Sequence, residues 1–239
     1  MTTILTTDLH APESLAVERE DRPLHRTAWP WAGLVAGVAG IVGTLVLNVP
    51  VPSEEVSDAG VDAVFETLDN QRAVHIGASA GFVAAWALVL FAVGFSRHVT
   101  RRAPAGSLLP QVIKVALTAG VGTLIIGFGL KAAAAGGMPG GIDEAFYTKT
   151  DSTVTALISS QMQYVGWQGV AVAMAATSIA AFTYGVVPRW IGALGALFSV
   201  VVAVFTLVLC LPNSAGIFGP PFLLLLSIVL MTTRKHRTS

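Results

Sequence analysis

The sequence has little charge and a single cysteine. Charged residues make up 12% of the 239 residues, whereas a soluble domain carries about 25%. One cysteine, Cys210, excludes an internal disulfide, a Cys-cluster metal site and a Cys-x-x-Cys redox pair. Lys plus Arg and Asp plus Glu both number 14, so the net charge gives no reason to expect a nucleic-acid partner.

Carboxylates are absent from six long apolar segments. Hydrophobic residues make up 54% of the chain, and the mean hydropathy is +0.71. A transmembrane helix needs roughly 20 mainly apolar residues, because lipid offers no hydrogen-bond partner to an open backbone. The sequence therefore predicts an all-α, multi-pass membrane protein whose six transmembrane helices cover about residues 31–49, 73–95, 111–133, 154–187, 190–211 and 217–232.

The ends of the chain differ from this transmembrane domain, which we place at residues 29–233. Residues 1–28 are polar and mixed in charge, and we expect a disordered tail there. Residues 234–239 form a short basic tail. Because the first third of segment 154–187 is polar, its lipid-crossing part is expected to begin near Val165.

The basic residues are distributed unevenly between the loops. With the N-terminus inside, eleven of the 14 Lys and Arg residues lie on the inner side, and nine of the acids lie on the outer side. The eleven are Arg19, Arg22, Arg26, Arg97, Arg101, Arg102, Lys114, Arg189, Arg234, Lys235 and Arg237. The positive-inside rule then predicts that both termini are cytoplasmic and that the protein lies in the cytoplasmic membrane.

Small residues recur at helical spacing in several segments. Gly33, Gly37 and Gly40 lie three or four residues apart, so they share one helix face and permit close packing. Such Gly- and Ala-rich faces also make a homo-oligomer one expectation for this chain.

The last quarter of the chain carries a recognisable pattern. The run 187–195 reads VPRWIGALG, and a Leu/Val-rich span, a Gly-Pro hairpin and a last span with basic residues at its end follow it. This arrangement resembles a family of small six-span bacterial membrane proteins that are common in actinobacteria and have no established activity. The resemblance implies a six-helix fold and no mechanism.

Polar side chains form stripes on three predicted helices. Arg72, His75 and Ser79 follow helical spacing in the second span, Lys131 ends the third, and Gln161, Tyr164 and Gln168 form a stripe in the fourth. By the predicted topology these side chains lie toward the outer leaflet, beneath the acidic loop 51–71. They predict an outward-facing cleft for a polar or anionic group, with Arg72 and Lys131 as its charges.

An alternative interpretation gives these residues no ligand. Arg72 and Lys131 then extend to lipid phosphates at the interface, Gln161 and Tyr164 are ordinary interfacial residues, and His75 bonds a neighbouring carbonyl.

The pattern of histidines and carboxylates argues against several enzyme classes. His75 and His98 lie at opposite ends of one span, which disfavours a bis-His haem, and we predict no cofactor and no metal.

Three functional hypotheses remain. The first is a non-enzymatic protein that binds a membrane lipid or small amphiphile, or supports a membrane complex, through the outward cleft. The second is a small transporter or an export or immunity component, and the third is a membrane-embedded enzyme.

Overall fold

The structure is a computed structural model that describes residues 28–47, 71–134 and 149–235. These residues form helices and a few short turns, without a β-strand among them. Six of the helical stretches are long and apolar enough to cross a membrane. The predicted all-α fold with six spans is confirmed, and the chain is a multi-pass membrane protein.

The helices follow one another as antiparallel spans. Span 1 consists of α1 and a π-helical segment, and span 4 consists of α4 and α5. The bounds are α1 Trp29–Gly40, the π segment Ile41–Val46, α2 Gln71–Thr100, α3 Leu109–Ala134, α4 Lys149–Val165, α5 Gln168–Tyr184, α6 Arg189–Leu207 and α7 Ser214–Lys235. The side on which the termini lie stays a prediction, and residues 1–27, 48–70, 135–148 and 236–239 lie outside the described part.

The spans pack around α1, α3 and α5. Helix α1 packs against α2 and α7, α3 packs against α2, α4 and α5, and α5 also contacts α6 and α7. Only 22% of the apolar window of α6 is buried within the protein, against 39–61% for the other spans. Helix α6 is therefore peripheral, and most of its surface is left for lipid.

The predicted glycine face of span 1 is used within the chain. Gly33, Gly37 and Gly40 are buried. A Cβ at Gly37 would lie 2.8 Å from the backbone nitrogen of Leu224 in α7, and one at Gly33 would lie 2.2 Å from Ser227 Oγ. This close packing is confirmed. Because α7 occupies this face, it is not available to a second copy of the chain.

Two predicted boundaries differ from the structure. Span 4 is interrupted at Gly166 and Trp167, next to Val165, where we expected the lipid-crossing part to begin. Helix α6 ends at Leu207 rather than near Leu211. Cys210 therefore lies beyond the helix, exposed and with a positive φ of 54°.

Candidate functional site

Lys131 is fully buried near the end of α3. Its Nζ donates to the carbonyl oxygen of Gly43 at 2.9 Å and to that of Leu47, and it lies 3.4 Å from Gln163 Oε1. An ammonium group has three hydrogens to donate, so each has an acceptor. This side chain does not extend to the lipid surface, and the interfacial interpretation of Lys131 is wrong.

The π segment explains why two carbonyl groups of span 1 point at this ammonium. At Leu47 the backbone leaves the helix, and its amide donates to Val42 at 2.9 Å, five residues back. The last carbonyls of a helix have no amide partner further along the chain, and they form the negative end of its dipole. Lys131 therefore stabilises the end of span 1 both as a donor and as a cation.

Glycines make room for the lysine head group. A Cβ at Gly77 on α2 would lie 2.7 Å from the Leu47 carbonyl oxygen and 2.9 Å from Lys131 Nζ. A Cβ at Gly43 would lie 2.9 Å from the Gly77 carbonyl oxygen. Because Gly77 and Gly81 are one helical turn apart, α2 offers the π segment a flat surface at this point.

The acceptors around Lys131 are neutral. Gln163 is itself fully buried and is held by donation from Nε2 to the Ser159 carbonyl oxygen at 3.1 Å. The carboxylate of Asp151, the one acid of the described ranges, is exposed at the start of α4. A buried charge is costly unless it is paired or well hydrogen-bonded, and here backbone and amide dipoles provide that compensation.

Trp167 lies at the interruption of span 4, between the π segment of span 1 and the two prolines of α7. It is fully buried and donates from Nε1 to Thr44 Oγ1 in the π segment at 3.0 Å. A Cβ at Gly40 would lie 2.6 Å from its ring, and one at Gly219 would lie 3.2 Å from its Cβ atom. Gly219 precedes two prolines inside α7, so the indole links the irregular parts of spans 1 and 4 to this segment of α7.

The seven predicted site residues have separate surroundings. Arg72, Ser79 and Gln161 are exposed. A Cβ at Gly216 would lie 2.3 Å from the Tyr164 ring, and Gln168 Nε2 donates to Thr206 Oγ1 at 2.9 Å and to the Pro212 carbonyl oxygen at 3.0 Å. His75 Nε2 is buried and has no hydrogen-bond partner among the described residues. The acidic loop that was expected to cover them lies outside the described part, so the outward cleft stays a prediction.

A groove of about 690 Å³ lies between α3 and the α4–α5 junction. Its walls are largely apolar, and their lining residues are Leu108, Gln111, Val112, Val115, Ala116, Ala119, Gly120, Thr123, Val165, Gln168, Gly169 and Val172. Of the predicted site residues, Gln168 belongs to this lining.

Small residues form the floor of this groove. A Cβ at Gly169 would lie 2.1 Å from the Ala116 carbonyl oxygen, and one at Gly120 would lie 2.5 Å from that of Gly166. The backbones of α3 and of the α4–α5 junction are therefore in contact there. The larger side chains of Val112, Val115 and Val172 also line the groove. The sequence did not suggest this groove, because its lining is mostly apolar and lacks a polar stripe.

A second polar contact joins the loops at one end of the bundle. Arg102 Nη1, just after α2, donates to the Val186 carbonyl oxygen, and His98 Nε2 lies 3.4 Å from the same atom. Val186 follows Gly185, whose φ of 60° ends α5 in a left-handed cap. The contact ties the segment that leads into α3 to the segment that leaves α5.

Comparison with protein-family models, curated proteins and solved structures gave no match. The resemblance to small actinobacterial six-span proteins therefore stays a prediction. Function has to be argued from two features of this chain, the buried Lys131 cluster and the α3–α5 groove.

Proposed function

We propose that this chain is a non-enzymatic protein of the cytoplasmic membrane that binds one lipid or small amphiphile in the groove between α3 and α5. The observation that carries the proposal is the size and lining of the groove. Ligand pockets typically measure about 300–1,000 Å³ and are mostly apolar with a few polar groups. At about 690 Å³, this groove is large enough for a lipid chain.

The exposure of the groove's walls supports a membrane-derived ligand. Leu108, just before α3, is 69% exposed, and Val112 and Val115 within α3 are 40% and 65% exposed. The length and hydropathy of α3 match a membrane span. A ligand therefore has a lateral route from the bilayer that does not require the bundle to open. A lipid or small amphiphile is the ligand class that the sequence predicted, although the groove differs from the polar cleft expected for it.

Ala119 gives a direct test, because its exposed side chain lines the groove. We expect Ala119→Phe to fill the groove and to remove a lipid that co-purifies with the wild-type protein, as measured by native mass spectrometry. Thr118→Phe adds a ring to the neighbouring exposed position, which does not line the groove, and should leave the bound lipid in place. Equal lipid retention by both variants would contradict the proposal.

A second candidate is a small transporter, which the interruptions of spans 1 and 4 favour. In two halves of three spans each, span 1 and span 4 occupy corresponding positions, and paired interruptions of this kind mark transport sites in other proteins. Here Thr44 and Trp167 join them at 3.0 Å, and the intramembrane cation Lys131 lies beside the π segment.

Proton flux tests this second candidate. In vesicles that contain pyranine, the reconstituted protein should carry protons along a potassium diffusion potential, and Lys131→Met should abolish that flux. A rate equal to that of protein-free vesicles would exclude proton transport.

A further inference from the structure

We propose that the groove selects a phospholipid with an anionic head group, from the leaflet that faces the α2–α3 loop. This inference rests on the proposed function, because it names the lipid class of the same groove. The positive-inside rule predicts that this leaflet is the cytoplasmic one.

The apolar walls alone cannot make the groove selective. Lipid tails are as apolar as valine and leucine side chains, so moving a tail from the bilayer into the groove gains little from the hydrophobic effect. A lipid that stays bound in preference to its neighbours must be recognised by packing and at its polar end. Selectivity therefore depends on the charges at the mouth of the groove.

The end of the bundle at the α2–α3 loop carries only positive formal charge among its described residues. Arg97, Arg101 and Arg102 are all exposed there. Asp151, the one carboxylate of the described ranges, is at the start of α4, at the opposite end of the antiparallel spans. The positive charge at this end is complementary to a lipid head group whose net charge is negative.

The chain brings this basic loop to the groove. The bond from Arg102 to the Val186 carbonyl oxygen ties the segment before α3 to the segment after α5, which are the helices that form the groove walls. Leu108, just before α3, and Gln111, in its first turn, are the first groove residues along the chain. Leu108 comes six positions after Arg102, so their Cα atoms are at most about 20 Å apart.

This placement gives Arg101 and Arg102 different roles. The Arg102 guanidinium already contacts the Val186 carbonyl oxygen and holds the loop in position. Arg101 is the exposed neighbour that we assign to the anionic head group, and Gln111 supplies an amide at the mouth of the groove. A cation near an anionic lipid surface contributes about 1 kcal/mol, which corresponds to about fivefold in affinity.

The test uses the full chain in nanodiscs with equal amounts of phosphatidylglycerol and phosphatidylcholine that have identical tails, and native mass spectrometry counts the retained lipids. We expect the wild type to retain phosphatidylglycerol in about fivefold excess. Arg101→Gln should bring the ratio close to one. Lys114→Gln removes the same charge from an exposed position of α3 that does not line the groove and should leave the ratio unchanged.

The Ala119→Phe variant separates the two ways in which the inference can fail. If Ala119→Phe removes the bound lipid but the wild type holds both head groups equally, the groove binds lipid and the head-group inference is wrong. If Ala119→Phe removes nothing, the proposed function itself is wrong. If Arg101→Gln and Lys114→Gln lower the ratio equally, surface charge alone explains the preference and the assignment of Arg101 is overturned.

Discussion

Gly77 offers the sharpest test of the Lys131 cluster, because a methyl group there has no space. The added Cβ of Gly77→Ala would lie 2.7 Å from the Leu47 carbonyl oxygen and 2.9 Å from both Leu47 Cβ and Lys131 Nζ. All three atoms belong to the contact that ends span 1. The variant should therefore push span 1 away from α2 or move the ammonium group off its acceptors.

The expected loss of stability follows from three effects. Overpacking of this kind costs about 1–3 kcal/mol, and a weakened hydrogen bond from a charged donor costs about 1.5–3 kcal/mol. Alanine is favoured over glycine in a helix by about 1 kcal/mol, which offsets part of this. We expect Gly77→Ala to lower the free energy of unfolding by roughly 1.5–5 kcal/mol.

Gly122→Ala is the matched control, since it introduces the same methyl group in α3 with no atom within 4 Å of the new Cβ. It should be neutral or slightly stabilising. Unfolding would be measured by titration with sodium dodecyl sulfate in mixed micelles, and hydrogen exchange would follow the Leu47 amide, which bonds to Val42. If Gly77→Ala unfolds at the same detergent fraction as Gly122→Ala and exchange at Leu47 is unchanged, the role assigned to this contact is wrong.

Three further predictions address other parts of the molecule. In a double-mutant cycle of Thr44→Val and Trp167→Phe, the free energies of unfolding should show a coupling of about 1 kcal/mol, because both remove one buried hydrogen bond; additive effects would argue against that bond. Gly185→Ala should destabilise by about 1 kcal/mol, measured in the same titration, because the cap has a φ of 60°, while an unchanged midpoint would show that the α5 end relaxes freely. Green fluorescent protein fused after Ser239 should fluoresce in cells and alkaline phosphatase at the same place should be inactive, and the opposite pair of results would reverse the topology.

The six spans could be predicted because hydropathy and the absence of carboxylates are properties of each segment by itself and do not depend on how the helices pack. Boundaries were less accurate where backbone geometry decides them. The end of α6 at Leu207 leaves Val208, Leu209 and Leu211 outside the helix, although these residues are as apolar as those within it. The interruption of span 4 was signalled by the polar residues before Val165 and by Gly166, but hydropathy could not tell a later start from a break.

The candidate site could be predicted only in part from the sequence. Lys131 was predicted as a charge of an outward cleft, but its partners are mainly the backbone carbonyls of Gly43 and Leu47, and backbone acceptors have no signature in a sequence. Gln163 was missed in favour of the stripe that begins at Gln161. The spacing of Ser159, Gln163 and Trp167 is four residues, and this second stripe, which is the buried one, was the available signal.

The Lys131 cluster also bears on how the chain enters the membrane during synthesis. A lysine in a lone transmembrane helix raises the cost of insertion, by about 2.5–3.5 kcal/mol at the helix centre and by less near an end, where Lys131 lies. Two of its acceptors, the carbonyls of Gly43 and Leu47, belong to span 1, which the ribosome completes before α3. Gln163 comes 32 residues after Lys131. When α3 reaches the bilayer, the partner that offsets most of this cost is therefore already in place. We expect α3 to insert beside the hairpin of spans 1 and 2 rather than alone.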